Sequence, residues 1–307
     1  MRIGVIDIGS NSIKLLIADK GSTIAVVYQM TWETRISDGL NKNARLSEES
    51  MALGVLAVKR LLEEAESYDP QKICIVATSA VRDAKNRDIF IDWIRDATGH
   101  ELNVLTGKEE AAYIAQGICT DPNLERREKF SVCDLGGGSL ECINIQTGKI
   151  QQKISLNLGA VRLAEKFLID SNAPVTDQEA QAIIAHTRKT ITECAFKFPA
   201  QIGTLVGTGG ALNACRSIRA QWLGKSFISV DPFISVDFLQ YLYKEIAAVP
   251  LEQRALIKEL PPERADIMPT ALLVLMTLAD CAKVDGFMHS LHNLRFGIVA
   301  EMHTQSV

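Results

Sequence analysis

The chain has 307 residues, of which 47% are hydrophobic, and a formal net charge of −4. This length exceeds the usual size of a single hydrophobic core, so the sequence predicts two domains. The acidic balance argues against a nucleic-acid partner, because binding to a phosphate backbone needs a basic surface. No apolar run approaches the roughly 20 residues that a membrane span requires, so no membrane association is expected.

The N-terminal segment and the cysteines favour a reduced, cytoplasmic protein. The first residues, "MRIGVIDIGSNS", become polar too soon for a secretory signal peptide. Seven cysteines are scattered without a CxxC pair. That pattern is typical of buried, reduced thiols and not of a disulfide framework or a zinc site.

The N-terminal part of the chain has the pattern of three strands followed by alternating helices and strands. Runs of β type cover about 2–8, 12–19 and 22–31, separated by the turns "DIGSNS" and "DKGS". A helix is predicted for about 47–67, because Ser47 can cap it and two glutamates follow in its first turn. The order continues with the strand "KICIVAT", the helix "RDIFIDWIRDAT", the strand "ELNVLTG" and the helix "KEEAAYIAQGI".

The same order then begins again. "KFSVCDLGGGSLECINIQTGKIQQKISLNLG" predicts three strands, and helices at about 159–168 and 176–196 precede the strand "IGTLVG". The remainder is mostly helical, with a long apolar helix in 265–283 and a final helix near 293–303. We interpret the repetition as an internal structural duplication. It predicts domains at 1–122 and 123–307, with the hinge in "TDPNLERRE".

Each half places an Asp-x-Gly turn between its first two strands, "DIGSNS" at 7–12 and "DLGGGS" at 134–139. Glycine permits positive φ, and successive N–H groups in such a turn can form a concave nest that binds phosphate. An aspartate directly before the turn is placed to hold a divalent cation against the same phosphate. Two such turns closing on one cleft would hold a phosphorylated substrate. A pair of ordinary glycine hairpins is the alternative interpretation.

Five segments occur in the order found in the exopolyphosphatase/guanosine pentaphosphate phosphohydrolase family, which the chain resembles over nearly its whole length. They are "DIGSNSIKLLIAD", "ATSAVRDAKN", "TGKEEAAYIAQGI", "DLGGGSLE" and "GTGGALNA". The resemblance implies an α/β fold of two ribonuclease-H-like lobes, of the actin, sugar-kinase and heat-shock-ATPase type, with an interlobe cleft. The length is similar to that of the short, two-domain members of the family.

The resemblance also implies roles for four carboxylates. Glu110 matches the glutamate that activates the attacking water. From the residues alone Glu109 is equivalent, because both begin a helix, but neighbours on a helix point about 100° apart, so only one should face the substrate. Asp134 and Glu141 are the expected Mg²⁺ ligands, since hard carboxylate oxygens suit this ion. Asp7 is expected either to add a water-mediated metal contact or to stabilise its own turn.

Phosphate contacts are expected from the two turns and from three cations. Arg82 follows a buried strand, at the end where α/β sheets place ligands, and matches a basic family position. Arg35 matches a common family pattern, and Lys14 matches least well. For each cation the alternative is a solvated surface side chain. The expected substrate-binding residues are Gly9, Ser10, Asn11, Ser12, Lys14, Arg35, Arg82, Gly136, Gly137, Gly138 and Ser139.

Three other motifs receive no catalytic role. Near the C-terminus "NLRFG" replaces the "GLREG" of many members, with Phe296 at an acidic position, so no function is assigned to Arg295. The histidines of "HSLH" are expected in the core or at an interface. "GTGGALNA" resembles the nucleotide-facing loop of the superfamily and is expected to line the far wall of the cleft.

The sequence therefore predicts an Mg²⁺-dependent exopolyphosphatase that releases terminal orthophosphate from inorganic polyphosphate. Guanosine pentaphosphate or tetraphosphate is the rival ligand. Two other classes stay open: an ATP-dependent kinase or ATPase of the same superfamily, and a non-catalytic sensor of polyphosphate or a guanosine alarmone. The resemblance also suggests a homodimer formed through the C-terminal helices.

Overall fold

The chain folds as two units, and the predicted boundary after residue 122 lies close to the observed one between Arg126 and Arg127. The computed structural model describes residues 1–124, 127–200 and 204–302. Unit 1 combines Met1–Arg126 with the segment that begins at His292, and unit 2 is Arg127–Leu291. The sequence placed everything after residue 122 in the second lobe, whereas the last helix folds with unit 1. Parts of the predicted hinge and of the strand "IGTLVG" lie outside the described residues.

Unit 1 contains a five-stranded sheet in the order β3-β2-β1-β4-β5. The first three strands form an antiparallel meander, and β4 and β5 continue the sheet in parallel to β1. Apolar side chains of β1 and β2 pack against the helix α2 in a buried cluster. The elements are β1 Arg2–Ile8, β2 Ser12–Lys20, β3 Ile24–Glu33, α1 Leu40–Asn43, α2 Glu48–Glu66, β4 Lys72–Ala77, α3 Ser79–Arg82, α4 Arg87–Thr98, β5 Leu102–Val104, α5 Gly107–Cys119 and, at the end of the chain, α12 Leu294–Glu301.

Unit 2 contains a six-stranded sheet in the order β10-β11-β9-β6-β7-β8. Its meander β6-β7-β8 and the parallel strands β9 and β11 repeat the strand order of unit 1, with β10 added at the edge. The predicted fold class, an α/β protein with two ribonuclease-H-like sheets, is confirmed. The elements are β6 Lys129–Leu135, β7 Leu140–Gln146, β8 Lys149–Leu156, α6 Ala160–Phe167, α7 Asp177–Glu193, β9 Leu205–Thr208, α8 Gly210–Trp222, β10 Phe233–Ser235, α9 Val236–Ala247, α10 Leu251–Arg254, α11 Met268–Ala282 and β11 Gly286–His289.

Local sequence explains where the main helices begin. The Ser47 side chain accepts from the Ser50 N–H at 3.0 Å and starts α2, as the sequence predicts.

The predicted apolar helix is α11, which is buried in the core of unit 2. Within the described part of the chain, every helix is too short or too polar to cross a membrane.

The last helix, α12, completes unit 1 by packing on α5 and on β1. The two helices approach so closely that a side chain at Gly117 would clash with the carbonyl oxygen of Asn293, and one at Gly297 with that of Tyr113. Glycine at both positions therefore permits the contact. The helix that carries Glu110 is thus held by the C-terminal segment of the chain.

Candidate active site

The Asp-x-Gly turn of unit 1 has its carbonyl groups bound from within the unit. The Gly9 N–H donates to the Ser12 carbonyl at 3.1 Å and closes the turn. The carbonyl groups of Ser10 and Asn11 accept hydrogen bonds of 2.9 to 3.1 Å from the segment 34–37. Among the described residues, no hydrogen bond uses the N–H of Ser10 or Asn11. These N–H groups can therefore donate hydrogen bonds to a bound anion.

The turn of unit 2 repeats this arrangement. The Gly136 N–H donates to the Ser139 carbonyl at 3.0 Å. The carbonyl groups of 136–138 accept hydrogen bonds of 2.8 to 3.1 Å from the segment 160–162, at the start of α6. No hydrogen bond between described residues uses the N–H groups of 137–139. Both turns thus have their acceptors bound and their central donors available.

Asp134 and Glu141 lie directly opposite each other on β6 and β7. Residues paired in this way have side chains on the same face of the sheet and close together. Glu141 is 2% exposed, and its Oε1 accepts from the Ser155 hydroxyl at 2.6 Å. Asp134 Oδ1 lies beside Gly209, where an added Cβ would be only 2.8 Å from it.

These two carboxylates fit the requirements of Mg²⁺. The ion prefers hard oxygen ligands and is usually bound by one or two carboxylates together with substrate phosphates and water. No cluster of three or more His, Cys, Asp or Glu side chains suited to a metal occurs in the described ranges. A two-carboxylate site that is completed by phosphate oxygens is consistent with that finding.

Asp7, the counterpart of Asp134, lies opposite Lys14 on β1 and β2. Its Oδ1 is buried and has no hydrogen-bond partner among the residues that the structure describes. Burial raises the pKa of Asp7, while the positive charges of Lys14 and Arg295 oppose that rise. Arg295, to which sequence analysis assigned no function, is 6% exposed and donates through Nη1 to the Leu15 carbonyl at 3.1 Å.

Glu109 and Glu110, which the local sequence alone leaves equivalent, have different surroundings in the structure. The Glu109 carboxylate accepts from the N–H and the hydroxyl of Thr106, at 2.8 and 2.7 Å, in a capping box that starts α5. Glu110 is 7% exposed, and its Oε2 lies 2.7 Å from Arg82 Nη1. The capping box occupies Glu109, whereas Glu110 is held by a cation. The sequence signal was present, because Thr followed three residues later by Glu is typical of a capping box.

The remaining predicted substrate contacts in unit 1 take part in local interactions. The Asn11 Nδ2 donates to Glu33 at 2.7 Å, so part of its amide is already used. The Ser10 hydroxyl lies 2.9 Å from that of Ser79. Arg35 is half-buried and adopts a positive φ of 47°. Unit 1 therefore brings its turn, its cations and Glu110 into one fold, while unit 2 holds the Asp134–Glu141 pair beside its own turn.

The "GTGGALNA" segment forms the junction between β9 and α8. Gly209 has a φ of 104° and precedes the helix, and a side chain at Gly210 would clash with the Arg264 guanidinium. Because β9 lies parallel to β6, with Thr208 beside Asp134, this junction is next to the carboxylate pair. Gly209 is therefore required at the edge of the sheet where the pair lies, because its φ is positive and an added Cβ would be 2.6 Å from the Leu135 carbonyl oxygen.

Two sheets of the same strand order, each with an Asp-x-Gly turn after its first strand, define a duplicated α/β protein. The model of the Ppx/GppA phosphatase family matches residues 6–306 of this chain. The chain therefore belongs to the Ppx/GppA phosphatase family.

The relatives that match the chain include proteins named as exopolyphosphatases and proteins named as guanosine-5'-triphosphate,3'-diphosphate pyrophosphatases. It is 28% identical over 318 residues to "Exopolyphosphatase 2" of Mycobacterium tuberculosis, covering 98% of each chain. It is also 28% identical over 296 residues to "Guanosine-5'-triphosphate,3'-diphosphate pyrophosphatase" of Aliivibrio fischeri, covering 95% of this chain and 57% of the relative. The chain thus spans little more than half of the latter protein.

Solved structures share the fold over nearly the whole chain. A crystal structure of an exopolyphosphatase from Cytophaga hutchinsonii has a TM-score of 0.87 at 21% identity and covers 98% of this chain and 97% of its own. The Aquifex aeolicus enzyme of the same family has a TM-score of 0.80 at 23% identity, with 98% and 99% covered. At these identities the likeness establishes the fold.

Proposed function

We propose that the protein is a phosphoanhydride hydrolase that releases terminal orthophosphate from inorganic polyphosphate with the help of Mg²⁺. The observation that carries this proposal is the Asp134–Glu141 pair beside a turn whose central N–H groups are available. A carboxylate pair suits Mg²⁺, and a row of N–H groups suits phosphate oxygens. Cleavage of a polyanion next to a divalent ion needs both groups, carboxylates to hold the ion and N–H donors to hold the phosphate oxygens.

Asp134 and Glu141 are the proposed metal ligands. Glu141 lies opposite Asp134 on the sheet, whereas the corresponding residue opposite Asp7 is the cation Lys14, so the turn of unit 2 offers two carboxylates and that of unit 1 offers one. When bound, Mg²⁺ would neutralise negative charge on the phosphate oxygens. The Ser155 hydroxyl holds one oxygen of Glu141, which restricts the orientation of the other.

Glu110 is the proposed general base. Its side chain is buried and held at 2.7 Å by Arg82, whereas the Glu109 carboxylate is used to cap α5. A base must accept a proton from a water molecule that attacks in line with the leaving oxygen. A fixed carboxylate lowers the entropic cost of reaching that geometry. The N–H groups of Ser10 and Asn11 are proposed to bind phosphate oxygens of the same substrate.

The main alternative substrate is guanosine pentaphosphate, for which the Aliivibrio fischeri relative is named. Polyphosphate is favoured because the relative of matching length is named an exopolyphosphatase. The two open classes, an ATP-dependent kinase or ATPase and a non-catalytic sensor, predict ADP formation and binding without turnover, respectively.

One substrate panel tests these assignments. Orthophosphate release is measured from polyphosphate, guanosine pentaphosphate and ATP, each with Mg²⁺ and with excess chelator. The proposal expects release from polyphosphate that requires Mg²⁺ and falls at least about 100-fold in Glu110→Gln. Glu109→Gln is the matched control and should keep most of the activity. Equal rates for wild type and Glu110→Gln would remove Glu110 from the mechanism.

A further inference from the structure

Arg82 connects the proposed base to the turn of unit 1. It is the last residue of α3, which begins beside the turn, where the Ser79 and Ser10 hydroxyl oxygens lie 2.9 Å apart. At the other end of this four-residue helix, the Arg82 guanidinium contacts Glu110. Thus α3 connects the turn directly to the base.

One nitrogen of the guanidinium makes both of its fixed contacts. Nη1 lies 2.7 Å from Glu110 Oε2 and donates to the Leu105 carbonyl at 3.1 Å. The Leu105 carbonyl follows β5, and Glu110 lies in the first turns of α5, so both acceptors belong to one short segment of the chain. The two N–H groups of Nη1 both donate to this segment. Because the guanidinium is planar and rigid, these two bonds also fix the direction of Nη2.

The other side of the guanidinium is available. Nη2 makes no hydrogen bond to any residue in the described ranges, and the side chain is 17% exposed. The nearest further carboxylate oxygen, on Asp83, lies 3.7 Å from Nε, beyond hydrogen-bond distance. A partly exposed pair of N–H groups on a cation is well suited to a phosphate oxygen.

We propose that Arg82 is a bridge that holds the base and the substrate at the same time. Nη1 stays bound to Glu110, and Nη2 donates to an oxygen of the phosphoryl group that is cleaved. A single rigid group then sets the distance between the carboxylate and the phosphorus atom. The inference rests on the proposed function and extends it, since sequence analysis assigned Arg82 to phosphate alone. Lysine cannot replace it, because an ammonium group is a compact point charge without the planar fork.

Two measurements test the two sides of the bridge, using Arg82→Met and Arg82→Lys. Arg95→Met is the matched control, because this exposed arginine of α4 pairs with Asp92 and Asp96 on its own helix. The first measurement is kcat with saturating polyphosphate. Arg82→Met should lower kcat about 10- to 100-fold in the wild-type background. In the Glu110→Gln background it should lower kcat less than threefold, because the base to be positioned is gone.

The second measurement is calorimetric binding of tripolyphosphate to Glu110→Gln protein, in which turnover is suppressed. Adding Arg82→Met should weaken binding at least tenfold. Adding Arg82→Lys should restore binding to within about threefold while kcat stays low, since the lysine keeps the charge but cannot hold both partners. The Arg95→Met control should change neither quantity.

Three outcomes overturn the bridge. Unchanged tripolyphosphate affinity in Arg82→Met would leave Arg82 as a structural partner of Glu110. Additive effects of Arg82→Met and Glu110→Gln on kcat would mean that Arg82 acts on phosphate alone. Full recovery of kcat in Arg82→Lys would mean that charge is sufficient. If wild-type protein releases no orthophosphate from any substrate, the proposed function fails. Calorimetry then still tests the bridge, which is overturned if Glu110→Gln protein binds tripolyphosphate equally well with and without Arg82→Met.

Discussion

Lys14 and Glu141 occupy the same position in the two copies of the duplicated turn. Each lies directly opposite the aspartate that precedes its turn, Lys14 opposite Asp7 and Glu141 opposite Asp134. The duplication therefore produces one turn whose aspartate lies opposite a cation and one whose aspartate lies opposite a second carboxylate. This difference of charge is the reason that we propose Asp134 and Glu141, at the turn of unit 2, as the direct ligands of the divalent ion.

The first prediction concerns the carboxylate pair. Glu141→Gln keeps the size of the side chain and an oxygen that can accept from Ser155, but it removes the charge. We expect the Mg²⁺ concentration for half-maximal activity to rise at least about tenfold, because an interaction with a charged group is lost. The measurement is orthophosphate release against Mg²⁺ concentration. Glu128→Gln, an exposed residue just before β6, is the control, and an unchanged Mg²⁺ dependence in Glu141→Gln would contradict the assignment.

A second prediction uses the raised pKa of Asp7. Because burial disfavours the charged form, the folded state binds the proton more tightly than the unfolded chain. Stability is therefore lost as pH rises through the window between the ordinary pKa and the raised one. Asp7→Asn should lose this pH dependence and have a higher free energy of unfolding than wild type at neutral pH. Urea unfolding between acid and neutral pH measures both.

Asp19 is a control for that experiment, because its effect on stability changes with pH in the opposite direction to that of Asp7. A hydrogen bond from Arg2 lowers the pKa of Asp19, so its contribution is present at neutral pH and is lost as pH falls through the lowered pKa. Asp19→Asn should therefore reduce stability at neutral pH. Identical pH dependence in Asp7→Asn and wild type would show that the Asp7 charge is not opposed by burial.

The third prediction concerns the contact between α5 and α12. Gly297→Ala places a methyl group against the Tyr113 carbonyl oxygen, and forcing such a group into a packed contact typically costs about 1–3 kcal/mol. We expect a lower melting temperature and, because α5 carries Glu110, a lower kcat. Gln116→Ala changes an exposed residue of α5 and should do neither. A Gly297→Ala protein with wild-type stability would refute the close approach.

The fourth prediction concerns Arg254, which is fully buried in unit 2. Its guanidinium donates to four carbonyl groups, including those of Ser171 and Ala173 at 3.2 and 2.6 Å. Arg254→Met leaves these acceptors without their donor, so we expect a loss of about 3 kcal/mol or more in the free energy of unfolding. Arg254→Lys should be intermediate, because it keeps the charge but fewer donors. Chemical denaturation measures the loss, and a change below about 1 kcal/mol would contradict the prediction.

Local patterns in the sequence determined the elements and the two turns. Apolar runs predicted the meander strands, and Ser47 marked the start of α2 within a residue. The Asp-x-Gly spacing marked both turns, because only glycine-rich backbone presents consecutive N–H groups without a Cβ in the way. Repetition of the element order was sufficient to predict two sheets of one kind, since strand order follows largely from connection lengths and handedness.

Only the tertiary structure decided which side chains meet. Glu110 and Arg82 are 28 residues apart, and their contact depends on how α5 packs after β5. The position of α12 in unit 1 depends on Gly117 and Gly297, which are far apart in the chain and adjacent in the fold. The physical reason is that hydrophobic periodicity encodes which face of an element is buried but not which other element covers it.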